Sequence, residues 1–218
     1  MKKRLMISAG FLAAIALWTA AVCLVDVRPI GPHGSAVGLA GLNSAVHDLT
    51  GVHLGLYTVT DWLGLVPIAT CMGFGALGLG QWIRRKSIRK VDYDILVLGG
   101  FYVVTIAAYL FFESVVVNYR PILIDGVLEA SYPSSTTTLV LCVMPTAVMQ
   151  LRTRMKHGIF KRFVVGITIA FIAVMVVGRL LSGVHWFTDI VGGALLSTGL
   201  VLTYRAVAHS TSLSKDGI

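Results

Sequence analysis

The chain has 218 residues, a formal net charge of +8, 56% hydrophobic residues and 13% charged ones; its mean hydropathy is +0.83. A soluble domain carries about 25% charged residues, so most of this chain is solvated by lipid, and a water-soluble globular protein is excluded. The Lys and Arg excess falls in short clusters between apolar runs, a pattern that excludes a nucleic-acid surface and points to membrane orientation and anionic headgroups.

The first apolar run, at about residues 5–25, follows Lys2, Lys3 and Arg4. It is long enough to cross a bilayer core of roughly 30 Å. It exceeds the apolar region of a signal peptide, about 7–15 residues, and no small-x-small site ends it, so it is read as a retained first span. Residues 35–56 follow, with Val37, Leu39, Leu42, Val46 and Leu49 spaced as in an amphipathic interfacial helix. His33, His47 and His53 lie in or beside this segment without a carboxylate or cysteine at metal-ligating spacing, and are read as interfacial or hydrogen-bonded imidazoles.

Five more spans are predicted at about residues 57–83, 95–117, 136–151, 163–181 and 186–204, the fourth of them short. Gly192, Gly193, Ser197 and Gly199 should let the last span approach a neighbour closely. Asp61, Asp92 and Asp94 fall near span ends, which argues against a transporter with ionisable groups at midplane depth. Cys23, Cys71 and Cys142 lie far apart inside apolar runs and read as small core residues. The expectation is one all-α domain, residues 1–218, a polytopic membrane bundle of six transmembrane helices with no metal and no cofactor.

Orientation follows from the basic residues. Arg84, Arg85, Lys86, Arg89 and Lys90 lie between spans two and three; Arg152, Arg154, Lys156, Lys161 and Arg162 between spans four and five; Arg205 and Lys215 after span six. With Lys2, Lys3 and Arg4 these fall on one side, which is cytoplasmic by the positive-inside rule, so both termini are expected inside. Of the 18 Lys and Arg residues only Arg28, Arg120 and Arg179 remain for the other side. Arg28 reads as a solvated loop residue, but Arg120 and Arg179 sit at span ends beside other polar groups and need a separate reason.

Three outer segments concentrate such groups: Glu113 to Pro121, Tyr132 to Thr136, and Gly178 to Asp189. Together they read as an oxyanion site. Two arginines can grip a tetrahedral anion, and the helix start at Pro133, Ser134 and Ser135 aims backbone N–H groups and hydroxyls at the same place. His185 and Asp189 share one helical face, so the carboxylate can fix the imidazole tautomer and leave the other nitrogen as a nucleophile. Tyr119, Glu129 and Tyr132 flank the site and read as interfacial packing, and Asp125 with Gly126 reads as a turn. The implied chemistry is phosphoryl transfer through a phosphohistidine, without metal.

These segments resemble the type 2 phosphatidic acid phosphatase family, the membrane relatives of vanadium haloperoxidases, over about residues 57–204. Its ordered signatures are Lys-x6-Arg-Pro, Pro-Ser-Gly-His and Ser-Arg-x5-His-x3-Asp. Matching positions are Arg120 and Pro121; Pro133 and Ser134; Arg179, His185 and Asp189. The resemblance implies a six-helix fold, a site on the extracytoplasmic side of the cell membrane, and hydrolysis of lipid phosphates. Glu113 stands where the family has lysine, Ser135 and Thr136 where it has glycine and histidine, and Gly178 where it has serine. In the family the missing histidine is the general acid for the leaving group, a task a threonine hydroxyl cannot perform near neutral pH.

Two expectations follow. A lipid diphosphate such as a polyprenyl diphosphate, whose leaving group is weakly basic, should suit this site better than a phosphatidic acid. Glu113 either supplies the missing proton or pairs with Arg120 or Arg179 and tempers anion affinity. The alternative to hydrolysis is a relative that binds lipid phosphates without turning them over.

Overall fold

A computed structural model describes residues 2–156 and 158–210; Lys215 lies outside the described residues. Among those described, eight α-helices run in the order α1 (Lys2–Leu24), α2 (Ala40–Thr50), α3 (Leu54–Leu63), α4 (Leu65–Arg85), α5 (Tyr93–Ser114), α6 (Ser135–Arg154), α7 (Ile159–Leu181) and α8 (Phe187–Ser210). The protein is a multi-pass membrane protein. Five stretches among the described residues are long and apolar enough to cross a bilayer: Leu5–Leu24, Leu54–Arg85, Tyr93–Ser114, Ile159–Leu181 and Phe187–Ala208.

The fourth predicted span differs from the other five. Its helix, α6, has 20 residues, or about 30 Å at 1.5 Å per residue, so it is not short. Its composition is too polar for the hydropathy criterion, with Thr136, Thr137, Thr138, Thr146 and Gln150 all buried. The reason is its position: α6 packs against α4, α5, α7 and α8. A helix that neighbours shield from lipid needs no apolar coat, and its hydroxyls bond to its own or neighbouring carbonyls, as Thr146 Oγ1 does to Cys142 O at 2.9 Å.

The second predicted span is interrupted once. Pro67 has no N–H to give the Leu63 carbonyl, and the helix breaks at Gly64. The short arm, α3, packs on α7 and carries Tyr57, Thr60 and Asp61 to the end of that helix. At the other end of the bundle, Arg85 meets Asp92 at 2.7 Å and Arg154 meets Asp94 at 2.6 Å, tying α4, α5 and α6 together.

The last span does approach its neighbours closely. A Cβ at Gly192 would stand 2.6 Å from the Tyr132 ring, and one at Gly199 2.9 Å from Leu12 of α1. Ser197 Oγ donates to Thr138 O at 3.2 Å. The cysteine expectation needs correction: only Cys142 is buried, whereas Cys71 is half-buried and Cys23 exposed, because Cys23 lies on the outward face of α1. The expected turn at Asp125 and Gly126 is present, both residues in the left-handed region that a two-residue type I′ hairpin requires. It folds residues 119–130 back so that Arg120 N donates to Glu129 O at 3.0 Å.

Candidate active site

The loop between α7 and α8 is built around Gly183. Its φ is +69°, and a Cβ there would stand 2.0 Å from Gly51 O, so only glycine fits. The loop holds His185 almost fully buried. Asp189 is the third residue of α8, and its Oδ2 accepts from Trp186 N at 2.9 Å, so the carboxylate caps the helix start where the dipole favours negative charge. The other oxygen, Oδ1, accepts from Asn118 Nδ2 at 3.4 Å.

His185 Nδ1 lies 3.7 Å from Asp189 Oδ2, on the carboxylate side but beyond hydrogen-bond reach. On the opposite edge Nε2 stands 3.4 Å from Arg120 Nη1. A guanidinium can only donate, so Nε2 carries the lone pair and Nδ1 the proton. Burial pushes the imidazole pKa down to about 4; the Asp189 contact opposes this, and the charges of Arg120 and Arg179 add to it. The ring is therefore neutral at physiological pH, with a lone pair on Nε2.

Arg120 and Arg179 are both buried, and each is met by a carboxylate. Arg120 Nε lies 2.9 Å from Glu129 Oε2. Arg179 Nη2 lies 3.5 Å from Asp61 Oδ1, and its Nη1 is 3.3 Å from Thr60 Oγ1. Glu113, expected to pair with one of them if it is not an acid, pairs with neither; Glu129 and Asp61 hold those places. Pairings across such distances in sequence depend on the hairpin register and on the packing of α3 against α7, which local pattern does not encode. Among the described residues, the buried side-chain nitrogens with no acceptor within hydrogen-bond reach are Arg179 Nε and His185 Nδ1, the latter turned toward Asp189; Arg120 Nε is taken by Glu129. An unmet buried donor costs about 1–3 kcal/mol, more when charged, so Arg179 Nε, beside Arg120 and the Nε2 edge of His185, marks a place suited to an acceptor.

The start of α6 lies beside them. Ser134 N donates to Asp189 O at 3.1 Å, and Ser134 Oγ caps the helix by accepting from Thr137 N at 3.4 Å. The Ser134 hydroxyl is therefore committed to the cap, and Ser135 and Thr136 face the open space. They line a cavity of about 540 Å³ together with His185, Glu113 and Asp61. The rest of its wall is largely apolar, from α4, α5 and α6, including Leu65, Ile68, Ile106, Phe112 and Leu139. Neither arginine lines this cavity; both meet the site from the side of Tyr57 and the 119–130 hairpin.

A supporting layer was not foreseen from sequence. Asn43 of α2, fully buried, accepts from Thr188 N at 3.1 Å and donates to Thr188 Oγ1 at 3.0 Å. One turn later, His47 Nε2 sits 3.2 Å from Gly183 O, and its ring lies 5.5 Å from that of Trp186. Asn43 and His47 are four residues apart, on one face of α2, and grip the loop on both sides of His185. The segment expected to be interfacial thus holds the loop that carries His185. An asparagine on the inward stripe of an amphipathic helix was the one available signal.

The family model described as the PAP2 superfamily matches residues 69–211. No curated protein matches the chain. Among solved structures, the fold is similar to the crystal structure of the first transmembrane PAP2-type phosphatidylglycerolphosphate phosphatase from Bacillus subtilis. The TM-score is 0.59 at 18% identity, covering 93% of this chain and 96% of that one.

Proposed function

The chain belongs to the PAP2 superfamily, and from that premise we propose that it is a membrane hydrolase of lipid phosphates, with a lipid diphosphate such as a polyprenyl diphosphate as its better substrate. The observation that carries this reading is the convergence of the buried Arg120 and Arg179 guanidinium groups with the Nε2 edge of His185, beside a largely apolar cavity that His185 lines. The charged end fits a phosphoryl group and the cavity its hydrocarbon chain.

Nε2 of His185 attacks phosphorus, the P–O bond to the leaving group breaks, and a phosphohistidine forms that water then hydrolyses. Attack needs the Nε2 lone pair, which Arg120 Nη1 now faces. Arg120 therefore shifts from His185 onto the phosphoryl oxygens as the substrate enters, and Glu129 remains its anchor. Asp189 stabilises the imidazolium that develops. Arg179 Nε, Arg120 Nη1 and the N–H groups at the start of α6 receive the charge on the equatorial oxygens.

The leaving group decides the substrate. Thr136 lines the cavity in place of a general acid, whose contribution is about 10²–10⁴-fold. A departing alkoxide needs that proton badly; a departing lipid monophosphate is far less basic. Glu113, exposed in the same cavity and free of both arginines, is the remaining candidate donor. The distribution of Lys and Arg favours six spans with both termini in the cytoplasm, which sets this site on the extracytoplasmic face of the cell membrane.

The test is phosphate release by purified protein from farnesyl diphosphate and from dioleoyl phosphatidate. Faster release from the diphosphate, lost in His185→Ala, supports the reading. Faster turnover of phosphatidate rejects the diphosphate preference. Binding of both lipids without release leaves a non-hydrolytic lipid-phosphate binder, the reading that Thr136 favours if no other group gives the proton.

A further inference from the structure

Helix α3 lies upstream of the matched residues 69–211 and carries none of the three signatures, yet it surrounds Arg179. Arg179 Nη1 is 3.5 Å from Tyr57 O and 3.3 Å from Thr60 Oγ1, and Nη2 is 3.5 Å from Asp61 Oδ1. The close approach depends on Gly178: a Cβ there would stand 2.8 Å from Thr60 Cγ2. The serine of the family signature would thus push α3 away from the arginine.

The Tyr57 ring meets both arginines. Arg179 Cζ lies 4.8 Å and Arg120 Cζ 5.9 Å from the same ring centroid. We propose that Tyr57 is a positioning residue for phosphate binding, its ring face holding the two guanidinium groups in one place before the anion arrives. Two like charges brought together without a shared counter-ion repel, and each carboxylate reaches only one of them. The negative face of one aromatic ring attracts both, at distances within the range of such contacts, about 6 Å. Because the Arg179 Nη atoms are turned toward α3, its Nε–H is the group left for the phosphoryl oxygen. Tyr57 thereby sets affinity for the phosphoryl group and leaves the chemistry at His185 unchanged. This inference rests on the reading of Arg120 and Arg179 as the holders of phosphate.

The experiment uses the full chain with phenylalanine, then 4-fluoro-, 3,5-difluoro- and 3,4,5-trifluorophenylalanine, placed at position 57 by nonsense suppression. Fluorination weakens the ring face while scarcely changing its size, so a space-filling role would not register. The readouts are inhibition by orthovanadate, and KM and kcat for farnesyl diphosphate. Tyr57→Phe should stay within about twofold of the native protein, and the inhibition constant and KM should climb with each fluorine to about tenfold, with kcat nearly constant. Tyr57→Leu, which keeps apolar bulk without the ring, should match the trifluoro variant. A flat inhibition constant across the series in a protein that vanadate inhibits overturns the role of Tyr57 alone. A native protein that neither binds vanadate nor turns over the diphosphate overturns the phosphate reading and this inference with it.

Discussion

The two ends of the bundle each bring arginines and carboxylates together, with opposite results. At the end away from His185, the Arg85 and Arg154 side chains are 43% and 29% exposed and meet Asp92 and Asp94 at 2.7 and 2.6 Å. Gln81 and Gln150 complete that network, and none of its buried nitrogens is unmet among the described residues. At the site end, Arg120 and Arg179 are only 9% and 2% exposed, yet Arg179 keeps an unmet Nε. Satisfied, solvated charge ties helices together at one end. Buried, unsatisfied charge at the other is stability withheld for a ligand.

The sharpest way to break this contrast is to remove one arginine from each end. Arg179→Gln should lower kcat/KM by about 10³-fold, as expected when a charged transition-state donor is lost. The partner experiment, Arg154→Gln, should leave kcat/KM within about twofold and lower the thermal midpoint slightly, since a partly exposed pair contributes at most about 1 kcal/mol. Equal losses of activity would erase the distinction between the ends.

Next in size is the acid position. Thr136→His should speed phosphatidate hydrolysis by up to about 10²-fold and change diphosphate hydrolysis much less, because only the alkoxide needs the proton. Glu113→Gln should lower turnover and remove the basic limb of the pH profile if Glu113 is the donor. An unchanged rate and profile would assign Glu113 to the cavity wall alone.

The buried imidazole makes a pH prediction. With His185 near 4, below its ordinary value because of burial and the two arginines, the nucleophile stays neutral well below the usual histidine range. The acid limb of kcat/KM should therefore fall near pH 4–5, not 6–7. The sign for stability is the same: between about pH 6.5 and 4 the unfolded chain binds a proton that the folded chain refuses, so stability falls as pH drops through that window. A limb centred at 6.5 would mean that His185 is solvated. The smallest effect concerns the supporting layer, where Asn43→Ala should lower kcat by about tenfold with little change in KM, by loosening Thr188 and the loop that carries His185.

Much of this was legible in the sequence for simple reasons. Span positions follow from uninterrupted apolar runs, and Arg120 and Arg179 stand out because no orientation rule explains them. The Asp125–Gly126 turn follows from the only residue pair nearby suited to two positive φ angles. What was hidden depended on geometry. The turn pairs Ile124 with Val127, and a straight ladder from it would set Tyr119 against Tyr132; instead Tyr119 bridges Ala130, a slip that brings Glu129 to Arg120. The packing of α3 on α7 brings Asp61 to Arg179, and the fold of α2 over the α7–α8 loop turns an apparently interfacial helix into a support. α6 read as a short span because its hydroxyls face protein, and hydropathy cannot tell a shielded helix from a wet one.

The most direct measurement is a covalent trap. The protein is mixed with farnesyl diphosphate labelled with ³²P in its terminal phosphate and quenched in alkali within milliseconds. The label should be retained on the chain, be released by mild acid as a phosphohistidine requires, map to His185, and be absent from His185→Ala. Rapid release of free phosphate with no label on the chain at any time, or label that persists in His185→Ala, would contradict it.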